Sequence, residues 1–443
     1  MLVATPIIYH YTCVWGLPDI GDPFDVQDFG SIRVDHDDNA LSEYDAASRM
    51  IIPIPKESDG DFHTELNIAK NQGWSATSNE FRTLFLKNRP ALDSWRRGTE
   101  KPDLQFKPAI ELKSARPSDM NYDLLKPFQM ADVYASYLLD ERQTDEAWLW
   151  CRARYRFSRH WCRYGAIEQR LLGVRWHAEA VDSIVNWLQQ LSLSDDILVL
   201  ALTSVQDDFQ LTPPLSWTFK CEYICHRNTL PTVDFPVAFF DNKRNKKLAS
   251  IYWYIHNEPE LSERVMKQIF ANVLEQVDLP LSERQQGSTV TGLFQPIPNR
   301  ELPDGRLTAD DIERFHRRAA YNFFQNHFKT VIKNVMIEQA RQRALEICLA
   351  ARIYHKRKSV FPENLDELVA AGILDEIPLD PFSPTGDAMK YKREAGAIIV
   401  WSIGENKRDD DGIIEPPHKG GDSPDCGLRL GHERDQQANQ SVE

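Results

Sequence analysis

Between Gly305 and Pro362 the chain carries neither glycine nor proline. Those are the two residues that most strongly weaken or end helices, so nothing local stops this stretch from running as one helix of about 50 residues, ~75 Å at 1.5 Å per residue. Thr308-Ala309-Asp310-Asp311 can cap its start, and an interruption is expected near Asn322 to Asn334. Beyond it, Ile337, Ala340, Ala344, Ile347, Ala351 and Tyr354 alternate spacings of three and four. That pattern makes a narrow seam of small residues which lets another layer approach closely. A small sheet is the expected partner.

The chain upstream also reads as helical. Helices are expected from about Ala40 to Ile51, from the capping box Thr77-Ser78-Asn79-Glu80 to about Leu86, and from Asn88-Arg89-Pro90 to a terminating Gly98. From Leu124 to Leu191 two apolar stripes, Phe128, Ala131, Ala135 and Leu138, then Ala147, Trp150, Phe157 and Trp161, predict packed helical hairpins. Residues 195–210 and 215–230 predict two more helices, although Trp217, Phe219, Cys221, Tyr223 and Cys225 also alternate as in a strand. Pro259 opens an amphipathic helix in which Leu261, Val265, Ile269, Val273 and Val277 share a face. The stretch from Leu279 to Gly305, rich in proline and glycine, is the expected connector. The fold class expected is mainly α: a helical-hairpin body followed by a small α+β unit. The expected organisation is a turn-rich segment over 1–38, a helical body over 39–290, the long helix with its α+β unit over 306–412, and a disordered tail over 413–443.

Acids outnumber bases by 66 to 52. The resulting negative field disfavours nucleic acid as a partner. Seven scattered cysteines do not read as a disulfide framework, and Cys221, Cys225 and His226 have neither the spacing nor the second pair of a zinc ribbon. Simple apolar packing is their expected fate. Met1 to Trp15 is mostly apolar with no Lys or Arg before it, so it lacks a signal peptide's charged start and is too short to span a bilayer. It reads as the remnant of a membrane anchor or as a segment packed on the body. Arg152, Arg156, Arg159 and Arg163 form one helical stripe, expected as a solvated, ion-paired face, with anion or partner binding as the sharper alternative. Asn242 to Lys247 reads as an exposed turn. His316 and His327 share a helix face about 16 Å apart, too far to hold one metal. The phosphate-loop, dinucleotide, zincin and nucleophile-elbow motifs are absent. Glu258 and Glu260 could serve a glycosidase, and are more simply first-turn acids on a helix dipole.

After the long helix comes Phe361-Pro362-Glu363-Asn364-Leu365, opening a short helix that Gly372 ends, then Pro378-Leu379-Asp380-Pro381-Phe382. Strands from Ala388 to Arg393 and Ala397 to Ser402 form a hairpin, followed by Gly404 and an acidic loop. Carried by Pro362, Pro378, Asp380, Pro381, Tyr391, Ser402 and Gly404, this order resembles the C-terminal domain of type II secretion major pseudopilins over roughly residues 337–412. The whole chain also looks like a set of large uncharacterised bacterial membrane-anchored envelope proteins. The pseudopilin resemblance implies calcium at Asp409, Asp410 and Asp411, with main-chain carbonyls completing the oxygen shell. Asn406 stands where the family usually has an acid. Together these readings imply a non-enzymatic scaffold or interaction protein of the cell envelope. It would be anchored upstream of or at the N-terminus, face outside the cytoplasm and bind a protein partner. The alternatives are a hydrolase, carbohydrate-active in one version, with its site in the helical body, and a cytoplasmic location.

Overall fold

The computed structural model describes residues 19–52, 59–113, 122–229, 258–284, 319–414 and 425–431. The Met1 to Trp15 run, the Asn242 to Lys247 turn, most of the connector before Gly305, the Thr308 to Asp311 cap and His316 lie outside them.

The described chain is mainly helical. It starts with α1 (Val26–Gly30), α2 (Leu41–Met50) and α3 (Asp59–Gln72). The Ser78 hydroxyl accepts from the Phe81 amide and starts α4 (Asn79–Lys87) where expected, but the reciprocal bond of a capping box is not made, since the Ser78 amide donates to Glu65. Pro90 then sits in the first turn of α5 (Arg89–Glu100). Gly98 does not end that helix. A Cβ there would lie 2.7 Å from the Tyr44 ring, so this glycine is a packing residue that lets α2 and α5 close on each other.

Three long helices form the centre: α6 (Leu125–Asp140), α7 (Thr144–Trp161) and α8 (Ile167–Leu188). α7 packs against α5, α6 and α8 and is buried on nearly every side, with Trp148, Trp150, Tyr155, Phe157 and Trp161 all inside. The Ser194 side chain caps α9 (Asp195–Gln210). α10 (Leu215–Thr229) is a helix and not a strand, and it packs on α11 (Glu258–Gln276), whose Ile269 and Val273 are buried.

The glycine-free and proline-free stretch is helical from Ala319 to Lys358, forty residues without a break (α12, Ala319–Lys358). The interruption expected near Asn322 to Asn334 is not there. Asn334 turns its amide back onto the Thr330 carbonyl at 2.8 Å, satisfying itself inside the helix instead of unwinding it. α12 joins two hydrophobic cores. Phe328, Val331, Val335 and Ala340 pack with α10 and α11, whereas Ala344, Ile347, Cys348 and Ala351 pack with the α6 to α9 centre.

The short helix α13 is confined to Asp366–Ala370, and Gly372 follows it at φ +64°. The small sheet expected against the seam is present. β1 (Lys390–Glu394) pairs antiparallel with β2 (Ala397–Ser402) across Gly396 at φ +76°, a conformation glycine adopts at no steric cost. β2 is buried at all six positions because it is the central strand and lies on α12. A third strand, β3 (Cys426–Gly431), pairs with it from within the stretch read as a disordered tail. Its Cys426, Leu428 and Leu430 alternate with Gly427, Arg429 and Gly431, and the two leucines are buried, but two glycines in six residues weaken the strand signal. Among the described residues no helix is long and apolar enough to cross a membrane.

Gly173 of α8 lies against the end of α7, where a Cβ would sit 2.5 Å from the Cys162 Sγ and 3.0 Å from the Cys162 nitrogen and the Ser158 carbonyl. Backbone cannot step aside easily, so Gly173→Ala is expected to destabilise by about 1–3 kcal/mol in urea unfolding. A gain of about 0.5–1 kcal/mol, which helix propensity alone predicts, would show that the two helices are not in close contact.

Candidate functional site

Of the four arginines read as one stripe, Arg152, Arg156 and Arg159 lie on α7 and Arg163 just past its end; they are ion-paired, as expected, but do not form a solvated face. Arg152 Nε and Arg156 Nη1 both bond the buried Asp208 of α9, at 2.8 and 2.9 Å. Arg156 also donates to the carbonyls of Thr99, Glu100 and Lys101, capping the open end of α5. Arg163 pairs with Asp103 at 2.8 Å. Arg159 points inward and is fully buried. Arg154, outside the stripe, is buried as well, over the Phe128 ring and paired with Asp132.

Arg159 and Arg170 converge on one carboxylate. Arg159 Nη2 lies 2.6 Å from Glu338 Oε1, and Arg170 Nη2 lies 2.5 Å from Glu338 Oε2. All three side chains are buried, so a helix of the C-terminal half is tied to both α7 and α8. Burial opposes the Arg159 charge, but the Glu338 carboxylate beside it outweighs that and holds its pKa above the usual value. One and two turns further along α12 come Gln342 and Glu346. Gln342 Oε1 accepts from the Tyr155 hydroxyl at 2.6 Å and faces His177 Nε2 at 3.3 Å, while Gln342 Nε2 donates to Glu346 at 2.7 Å. Glu338, Gln342 and Glu346 thus form a polar column inside the core.

The foot of this column opens on a cleft of about 310 Å³ between α8, the α9–α10 turn, the end of α11, α12 and the Pro378–Phe382 turn. Arg170, Arg284 and Arg343 line it, together with apolar Phe209, Val277 and Met336. Its carboxylates are Asp278 and Asp380. Asp278 accepts from the Ser216 amide at 3.0 Å. Asp380 is buried and accepts from the Phe382 and Ile403 amides and the Ser402 hydroxyl.

The residues read as acids or ligands are placed apart. Glu260 pairs with Arg264 on its own helix. Cys221 and Cys225 are buried, and His226 bonds Glu222. Burial pushes the thiols of Cys151, Cys225 and Cys348 up to about 12, so none carries thiolate near neutral pH.

Asp409, Asp410 and Asp411 lie on the loop after β2, each with partners of its own. Asp409 Oδ1 accepts from Trp401 Nε1 at 3.0 Å, and its other oxygen is 3.7 Å from Lys390 Nζ. Asp411 pairs with Lys392 at 2.9 Å. Asp410 accepts from Asn406 Nδ2 at 2.7 Å, a bond that an acid at 406 could not donate. Asp425 anchors the loop by accepting from the Asp410 and Gly412 amides. Among the described residues no group of three or more His, Cys, Asp and Glu is arranged to hold a metal ion.

Compared with family models, curated proteins and solved structures, the chain matches none.

Two histidines are locked neutral. His160 Nε2 faces the Lys101 carbonyl at 2.9 Å, which can only accept, so this nitrogen carries the proton and Nδ1 accepts from the Tyr44 hydroxyl at 2.7 Å. Burial, helped by Arg156, lowers its pKa from 6.5 to about 3; burial and Arg159 push His177 well below 6.5. In the unfolded chain both take a proton near pH 6.5, so below that pH the unfolded state binds more protons. Stability is therefore expected to be full above pH 6.5 and to fall as pH drops towards 3, by up to about 1.4 kcal/mol per pH unit for each histidine. Urea midpoints from pH 7.5 down to 4.5 measure this directly, and His160→Asn should flatten the slope. An unchanged midpoint across that range would mean the rings are solvated.

Proposed function

We propose that the chain is a non-enzymatic scaffold or interaction protein of a bacterial cell envelope, with a pseudopilin-like C-terminal unit. What supports this reading is that the residues carrying the resemblance bond one another. Tyr391 donates to the Pro362 carbonyl at 2.6 Å, and Asp380 takes the Ser402 hydroxyl and the Ile403 amide. Gly404, at φ +64°, donates its amide to the Ser402 oxygen at 3.2 Å. The motif thus acts as a clamp that fixes the Pro378–Phe382 turn to the end of β2.

The body points the same way. The stripe arginines Arg152, Arg156, Arg159 and Arg163 are each held by a carboxylate of the fold, Asp208, Glu338 or Asp103, as suits a rigid support. A hydrolase built on the cleft would have to free Asp380 from three donors. The calcium implied at Asp409, Asp410 and Asp411 would have to displace Lys390 and Lys392.

The test is location. In cells making the protein from its native gene, it is expected in the membrane fraction, and the described body should be cleaved by protease added to spheroplasts. Recovery in the cytoplasmic supernatant, protected from that protease, would overturn the envelope reading.

A further inference from the structure

We propose that the cleft between α8, α11, α12 and the Pro378–Phe382 turn binds a small amphipathic oxyanion, a carboxylate or phosphate monoester carried on an apolar body. The first reason is an unmet hydrogen-bonding demand. Arg170 is only 3 % exposed, and it lines the cleft with Nε and Nη1 unpartnered among the described residues. The Cys162 thiol lies alongside it, but a thiol is a weak acceptor. Arg284, on the same wall, bonds the Val277 and Leu279 carbonyls and leaves its buried Nη1 without an acceptor. Buried donors left unmade are costly, and a guanidinium fork matches an oxyanion in geometry.

The second reason is charge. Arg159 and Arg170 share the single carboxylate of Glu338, so the buried trio carries one positive charge in excess. Arg343 adds another guanidinium at the cleft, donating to the Leu379 carbonyl, with the Glu346 and Asp380 carboxylates acting on it from nearby. Burial lowers the pKa of both Arg284 and Arg343, outweighing Asp278 at the first and Glu346 and Asp380 at the second, so the site bears a cost of desolvated positive charge that its own carboxylates do not remove. An anion relieves it, whereas a cation would add to it.

The third reason is the lining. Phe209, Leu215, Val277, Ile332, Val335 and Met336 present an apolar wall beside the arginines. A bare inorganic ion would leave that wall wet, whereas an apolar tail covers it. The volume, about 310 Å³, is at the small end of ordinary ligand sites.

Calorimetry on the full chain tests this with four probes: octanoate, octyl phosphate, inorganic phosphate and octan-1-ol. One equivalent of octanoate or octyl phosphate is expected to bind, at least about tenfold more tightly than octan-1-ol, the margin of one charge-assisted hydrogen bond. Inorganic phosphate should bind more weakly than octyl phosphate. Whichever of the two octyl anions binds more tightly identifies the headgroup, and either order supports the site. Because Arg170→Gln removes a Glu338 partner and can unfold the chain, the variants are Arg284→Gln and Arg343→Gln, each expected to weaken binding about five- to tenfold. The Arg170 Nε–H resonance should shift on titration with the bound anion. No heat with either octyl anion, octan-1-ol binding as tightly as they do, inorganic phosphate binding as tightly as octyl phosphate, or wild-type affinity in both variants would each overturn the proposal.

Discussion

The carboxylate of Glu338, buried between the guanidiniums of Arg159 and Arg170, is the interaction on which the rest of the arrangement depends. It lies on α12 between Val335, which packs with α10 and α11, and Ala344, which packs with the α6 to α9 centre. A buried ion pair gains little over apolar packing, but removing one partner strands the other charge at about 3–5 kcal/mol. The triad therefore acts mainly on register. It permits one position of α12 along α7 and α8, and that position sets the polar column, the cleft at its foot and the seat of the sheet.

The elements were largely legible because their signals are local. Ser78, Pro90 and the glycine-free run after Gly305 act within a turn or two of themselves, and the helices follow them. Gly98 and Asn334 misled because their roles come from tertiary packing and a side-chain bond. Gly98 is small for the sake of Tyr44, which precedes it by half a hundred residues, and Asn334 stays helical through its bond to the Thr330 carbonyl. β3 escaped although Cys426, Leu428 and Leu430 alternate, because two glycines among its six residues weaken the strand signal and its pairing with β2 spans about thirty residues of chain.

The polar column was hidden in plain view. Glu338, Gln342 and Glu346 stand four apart, interleaved with the seam of Ile337, Ala340, Ala344 and Ile347, and a reading tuned to apolar spacing passes over them. Their partners, Arg159, Arg170, Tyr155 and His177, are more than 150 residues away in sequence, where only the fold can bring them together. The arginine stripe pointed to the right helix, but spacing alone could not say that Arg159 faces in while Arg152 and Arg156 reach sideways to Asp208. The acidic loop shows the same limit, since Lys390 and Lys392 of the neighbouring strand set its charge balance.

If Glu338 holds the two cores in one register, the helices it joins should open together. Hydrogen exchange followed residue by residue measures this in α7 around Tyr155 and in α12 around Ala344. The account predicts one shared free energy of opening for both segments, and an equal fall of about 3–5 kcal/mol in both with Glu338→Gln. Loss of protection in one segment with the other unchanged would contradict it.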